Sequence, residues 1–68
     1  MTTLTIIKDD GFVKVDGVGL TPIDCSSLAS NIHAIQFDGT NGEVEYNDGT
    51  ANEAITSISA YSAITDLW

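Results

Sequence analysis

The chain has 68 residues, with two lysines, no arginine and ten acidic residues, so its formal net charge is −8. This length allows a single domain, residues 1–68, with a thin core, because so short a chain buries only about 60% of its unfolded surface. The scarcity of cationic side chains argues against direct binding to nucleic-acid phosphates and to anionic membrane surfaces.

The first part of the chain predicts a hairpin. The β-rich runs 3–7 and Phe12–Val15 are separated by an Asp-Asp-Gly triplet. Asp16-Gly17 follows, and an Asp-Gly pair between two short β-rich runs indicates a two-residue turn with positive φ at both positions. Residues 18–23 are then expected to pair back as the next strand.

The middle of the chain predicts a loop and a second hairpin. Residues 24–31 indicate one helical turn or a compact loop that Leu28 anchors at an end of the sheet. Ile32–Phe37 and residues 43–47 then form two arms joined across residues 38–42. His33 lies either on the inward face near the rim or in a cross-strand pair.

Alternation in the second arm predicts which side chains face the core. Val44 and Tyr46 point inward, whereas Glu43 and Glu45 point outward, since successive side chains of a strand face opposite sides.

The apolar period changes from two to three after the second Asp-Gly-Thr. Residues 52–54 indicate a loop, and the positions spaced by threes indicate a helix or 3₁₀ segment on one sheet face, over residues 59–67. The spaced residues are Ile55, Ile58, Tyr61, Ile64 and Leu67. The predicted fold is therefore α+β: a small antiparallel β-meander of four or five strands with a C-terminal helix packed on one face. The predicted core is Leu4, Ile6, Val13, Val15, Leu20, Leu28, Ile35, Phe37, Val44, Tyr46, Ile58, Tyr61 and Ile64.

The repeated Asp-Gly-Thr triplets at 38–40 and 48–50 raise the question of a calcium loop. A hand-type loop needs a Gly at its sixth position and a Glu at its twelfth. Counted from Asp38, the sixth residue is Glu43 and the twelfth is Gly49, so the pattern fails. The triplets instead predict turns, in which Asp accepts a backbone hydrogen bond and Gly takes positive φ. We expect no metal and no cofactor.

Two further groupings of side chains have residue types found in catalytic sites. Glu43 and Glu45 are paired carboxylates, but a solvated strand face beside a turn explains them. Cys25 and His33 lack an orienting third group, so Cys25 is expected to be a small buried residue. As the single cysteine, it also makes an internal disulfide impossible. We therefore expect no catalytic residues and a chain that is not an enzyme.

The residues Ile64, Leu67 and Trp68 form the predicted protein-contact cluster. A thin core without a disulfide or metal favours self-association, most simply as a two-fold dimer. Trp68 either packs back onto the sheet or stays exposed as a contact for a second copy.

Four segments of the chain resemble a family of short uncharacterised proteins of tailed bacteriophages and prophages. They are Ala34–Phe37, residues 42–46, Asn52-Glu53 with the nearby Ile55-Thr56, and residues 61–68. The upstream run 15–28 is also similar to the family, in which Trp is common where this chain has Phe37.

The resemblance implies a phage or prophage origin and a non-enzymatic role, as a virion- or tail-associated structural component or an assembly accessory. The alternative is an acidic cytoplasmic inhibitor that binds a basic host protein. The first residues lack a basic segment followed by a long apolar run, so we expect no signal peptide and a place in the host cytoplasm or the virion.

Overall fold

The computed structural model describes residues 2–68, which build one antiparallel sheet of six strands and a one-turn helix. The strands are β1 (Leu4–Ile7), β2 (Phe12–Val15), β3 (Val18–Leu20), β4 (Ile32–Phe37), β5 (Gly42–Tyr46) and β6 (Glu53–Ile55). The helix α1 spans Ser62–Thr65, and 3₁₀ turns span Lys8–Asp10 and Ser59–Tyr61. The α+β class agrees with the prediction, but the sheet has more strands than the four or five predicted. None of the helical segments among these residues is long and apolar enough to cross a membrane.

The strand order corrects the predicted meander. It runs β3-β2-β1-β4-β5-β6, so β4 pairs with β1 rather than with β3. The sheet therefore consists of two three-stranded meanders joined through their first strands. The connection between β3 and β4 crosses the sheet, and its Cys25 and Leu28 side chains are buried in the core. Burial of these two side chains stabilises the connection in this position.

Strand β6 replaces the loop predicted over residues 52–54. Its backbone pairs antiparallel with β5, with Glu53 opposite Val44 and Ile55 opposite Gly42. A three-residue edge strand with two exposed side chains has no hydrophobic alternation, so its pairing depends on the neighbouring strand.

The core lies on one face of the sheet, called here the inner face. On the central strands, Ile6 stands opposite Ile35 and Leu4 opposite Phe37. Nine of the predicted core residues are buried: Leu4, Ile6, Val13, Val15, Leu28, Ile35, Phe37, Val44 and Ile64. Tyr46, Ile58 and Tyr61 are partly buried against them. Leu20 was wrongly predicted as core, because β3 is an edge strand and Leu20 is 44% exposed.

The C-terminal segment, which covers the inner face, contains less helix than predicted. Residues 59–67 form a 3₁₀ turn and the single turn of α1, which packs against β2. Apolar side chains spaced by threes match the three residues per turn of a 3₁₀ helix. The Leu67 N–H donates to the Ile64 carbonyl at 3.1 Å, an i to i−3 bond that ends the helix. Ile64, within the helix, is buried, whereas Leu67, beyond its end, is exposed.

The turn between β2 and β3 has the predicted conformation. Asp16 has φ 50° and Gly17 has φ 87°, so both central residues occupy the left-handed region. No atom lies within 4 Å of the position that a Gly17 Cβ would take. The requirement for glycine at residue 17 is therefore one of backbone conformation alone.

Replacing Gly17 with Val should lower the free energy of unfolding by about 1 to 3 kcal/mol, because a β-branched residue is strained at positive φ. Gly17→Asn is the matched control, since Asn tolerates this region and should lose less. Urea unfolding of both variants measures the difference. A Gly17→Val protein as stable as the wild type would contradict the turn.

Candidate protein-contact surface

The large apolar side chains most exposed in residues 2–68 gather at one edge of the sheet. They are Val18 at 54%, Leu20 at 44%, Leu67 at 57% and Trp68 at 36%. We call these four residues the β3 edge patch. Contiguous exposed apolar side chains are the feature by which contact surfaces are recognised, so this patch is the candidate surface of the chain.

Strand β3 lies beyond the part of the inner face that α1 and the preceding 3₁₀ turn cover. Val18 stands opposite Val15 and Leu20 opposite Val13, and both of these β2 residues are buried. Cross-strand partners point to the same face, so Val18 and Leu20 also face inward. The covering helix packs against β2, and every residue of β3 is exposed.

Trp68 is fixed beside β3 by a hydrogen bond. Its indole Nε1–H donates to the Val18 carbonyl oxygen at 2.8 Å. The side chain nevertheless keeps 36% of its surface exposed. Trp68 was predicted either to pack back onto the sheet or to stay exposed. In the structure it lies against the sheet edge, and part of its side chain is still exposed to solvent.

The predicted contact cluster is divided by the core. Ile64 is 1% exposed and belongs to the inner layer, so its side chain is not part of any outer surface. Leu67 and Trp68 lie after the end of α1 and are exposed. Val18 and Leu20 were not predicted for this surface: Leu20 was predicted to be a core residue, and no environment was predicted for Val18.

The β3 edge is free of charge, whereas the opposite side of the sheet is acidic. Residues 17–23 contain no charged residue. Glu43 and Glu45 lie on β5, and Glu53 lies on the other edge strand, β6. The Tyr46 hydroxyl donates to Glu53 Oε1 at 2.6 Å, and this hydrogen bond raises the pKa of Tyr46. The two edges of one sheet thus have different chemistry.

Glu43 and Glu45 line a shallow open depression on the outer face, which the sequence analysis did not predict. Thr5, Gln36, Asp38 and Asn41 are among the other residues that line it. The Gln36 amide donates to Glu45 at 2.8 Å, and the Asn52 amide donates to Glu43 at 3.2 Å. Both carboxylates therefore act as acceptors within the sheet surface.

Cys25 and His33 have separate partners. The Cys25 thiol is buried and contacts the Ile23 carbonyl at 3.5 Å. Burial, and then the neighbouring Asp24 carboxylate, raise the pKa of this thiol. His33 is exposed beside a register shift in β4, and its Nδ1 lies 3.3 Å from Asp9 in the 3₁₀ turn after β1. Because Asp9 belongs to a 3₁₀ turn and not to a strand, this contact is not the predicted cross-strand pair.

The Asp-Gly-Thr triplets are turns, as predicted. Asp38 Oδ1 accepts the N–H groups of Asn41 at 2.7 Å and Thr40 at 2.9 Å. Asp48 Oδ1 accepts the N–H of Thr50 at 3.0 Å in the same way. The glycines between them have φ 102° and 88°. No group of three His, Cys, Asp or Glu side chains that could hold a metal ion occurs in residues 2–68.

Comparison of the chain with protein-family models, with curated proteins and with solved structures finds no match. The resemblance to phage proteins therefore stays a prediction made from the residues. What the surface can bind is inferred below from its geometry and charge.

The turn aspartates make stability depend on pH in the acid range. Hydrogen bonds from Asn41 and Thr40 lower the pKa of Asp38, those from Thr50 and Asn31 lower that of Asp48, and those from Ser26 lower that of Asp24. A carboxyl with a lowered folded-state pKa contributes stability above its unfolded value of about 3.9, and loses it as pH falls through the folded value.

Replacing Asp24, Asp38 and Asp48 together with Asn should therefore flatten the loss of stability below about pH 4. The Asn side-chain oxygen can accept the same N–H bonds but does not titrate in this range. Thermal unfolding of the triple variant and the wild type between neutral and strongly acid pH measures the effect. Equal losses in both proteins would contradict a role for these carboxylates.

Proposed function

We propose that the chain is a non-enzymatic structural component or assembly accessory of a phage-type particle, which acts through protein contacts at the β3 edge patch. The observation that carries the proposal is the placement of large exposed apolar side chains on an uncharged sheet edge, in a chain of net charge −8. The particle context is supported by the sequence resemblance alone.

The β3 edge lacks the charged residues that usually protect such strands. Sheet edges are normally protected by charges, proline or bulges, because their free backbone groups can pair with other chains. Residues 18–20 contain none of these, and only the shortness of β3 and the following Pro22 limit it. An edge with this composition is suited to pairing with another protein.

Trp68 supplies a side chain of the type that contributes most at protein interfaces, and Leu67 adds exposed apolar surface beside it. Tryptophan is enriched among interface residues whose truncation costs the most affinity. The hydrogen bond to Val18 holds the indole in place before any partner binds. This preorganisation lowers the entropy cost of ordering the side chain in a complex.

The acidic side of the sheet supports a second candidate function. Glu43 and Glu45 lie on the outer face of β5, whereas Glu53 stands opposite the inward-facing Val44 and is therefore on the inner face of β6. An inhibitor of a basic host protein would use the outer surface with Glu43 and Glu45, and its association would weaken as salt is added, because exposed charges are screened. The β3 edge patch would not be needed for that function.

Mass spectrometry of purified particles tests the two functions. The wild-type chain should be found in the particle fraction at a constant ratio to the major particle proteins. Leu67→Ser should lower its incorporation by about tenfold or more, since a buried leucine side chain contributes about 1.5 to 3 kcal/mol. The exposed position should keep the fold intact.

The double variant Glu43→Gln, Glu45→Gln is the matched control and should be incorporated like the wild type. Recovery of the chain only in soluble fractions, bound to a basic host protein and released by salt, would contradict the particle function. It would support the inhibitor instead.

A further inference from the structure

We infer that the partner at the β3 edge patch is a second copy of this chain, whose β3 strand pairs antiparallel with the first about a two-fold axis through Gly19. Two six-stranded sheets would then form one continuous sheet. The inference rests on the proposed function in using the same patch, and it names the partner and the geometry of contact.

The hydrogen-bond pattern shows which backbone groups point outward from β3. The Asp16 N–H donates to the Thr3 carbonyl at 3.1 Å, so Thr3 and Asp16 are a hydrogen-bonded pair between β1 and β2. Bonding directions alternate along a strand, so the next residue, Val15, directs its N–H and C=O toward β3. Its partner there is Val18.

Gly19 follows in the same alternation. It stands opposite Lys14 as a non-hydrogen-bonded pair, since the adjacent Val15–Val18 pair is the bonded one. The N–H and C=O of Gly19 therefore point away from β2, toward the open edge. A second strand can bond to both groups of this one residue.

A two-fold axis through Gly19 satisfies these groups and matches the side chains. Each Gly19 N–H donates to the Gly19 carbonyl of the other copy, which is the arrangement of a bonded antiparallel pair. Val18 of one copy then stands opposite Leu20 of the other, with Cβ atoms about 4.5 to 5.5 Å apart on the inner face. Both exposed side chains become neighbours of an apolar partner, and the contact is self-complementary, as a two-fold interface requires.

Glycine at position 19 leaves room on the outer face. A Cβ there would lie 2.7 Å from the Phe12 ring, so the ring occupies the space above Gly19. An aromatic ring over an edge glycine fills the missing side-chain volume and supports the strand. The axis therefore lies between two three-residue strands, each of which is paired with β2 of its own copy on the other side.

The charge distribution permits contact between two acidic copies at this edge. Residues 17–23 carry no charge, and Asp16 is three positions from the axis residue. Asp16 lies in the turn before β3 and Asp66 lies next to Leu67, so some like charge remains near the contact, and its repulsion is screened over about 8 Å at physiological ionic strength. Lys14, the cross-strand neighbour of Gly19, brings one cation of each copy near the contact.

Sedimentation velocity across a wide concentration range, at low and high salt, tests the pairing. The wild-type chain should form a dimer, and the dimer should become tighter as salt screens the remaining repulsion. Val18→Lys should weaken dimerisation by about tenfold or more, because it removes an apolar contact and places like charges near the axis. Ala54→Lys is the matched control, since it makes the same change in charge at the exposed centre of the opposite edge strand.

Methylation of the Gly19 backbone nitrogen, introduced by chemical synthesis, separates strand pairing from apolar contact. It removes one outward N–H and adds a methyl group at the edge, while all four side chains of the patch stay in place. The dimer should be lost, with an unchanged circular dichroism spectrum. Loss of the dimer in this protein and in Val18→Lys, with retention in Ala54→Lys, supports the inference.

Other results would overturn the inference, and the behaviour of Leu67→Ser then shows whether the proposed function fails with it. A wild-type monomer at every concentration, or a dimer that tolerates both Gly19 methylation and Val18→Lys, refutes pairing through β3. In either case, the loss of particle incorporation in Leu67→Ser would show that the patch binds a different protein. Normal incorporation of Leu67→Ser would refute the proposed function as well.

Discussion

The antiparallel pairing of β1 with β4 is the contact on which the rest of the structure depends. Ile6 and Ile35 stand opposite each other at its centre, and both have no exposed surface. Each half of the sheet is a three-stranded meander, which is close to the minimum for independent stability. Joining the halves through their first strands places the most buried residues in the middle of one larger inner face. The same pairing leaves β3 and β6 as the two edge strands of the sheet.

The exposed apolar patch follows from where the covering layer ends. Helix α1 and the loop containing Leu28 supply the buried side chains that complete the core, and α1 packs against β2. Strand β3 continues the sheet past that layer, so Val18 and Leu20 face inward without being covered. On the opposite edge, Glu53 and Tyr46 form a polar contact. One sheet therefore offers an apolar edge and an acidic edge.

Local chemistry made the turns and the inner strands predictable from the residues. The Asp16-Gly17 turn follows from an Asp-Gly pair, and alternation identifies Val44 as inward. The order of the strands does not follow, because β-rich runs of similar composition can pair in several ways, and the pairing of β1 with β4 depends on contacts between residues far apart in the chain. Leu20 was wrongly predicted as a core residue because the sequence does not show which strand lies at the edge of the sheet. The sequence identified Trp68 and Leu67 as candidate contacts. The hydrogen bond of Trp68 to the Val18 carbonyl could not be predicted, because the fold brings together residues 50 positions apart.

Amide hydrogen exchange at Gly19, followed by NMR as a function of protein concentration, tests the central claim most directly. Its N–H points to the open edge in one copy and becomes an interstrand donor in two, so protection of this amide should rise as concentration increases. The amide of Gly49, in the exposed turn before β6, provides an internal reference that should not respond. A Gly19 amide whose exchange rate is the same at every concentration would contradict the assignment of β3 as the edge through which this chain associates.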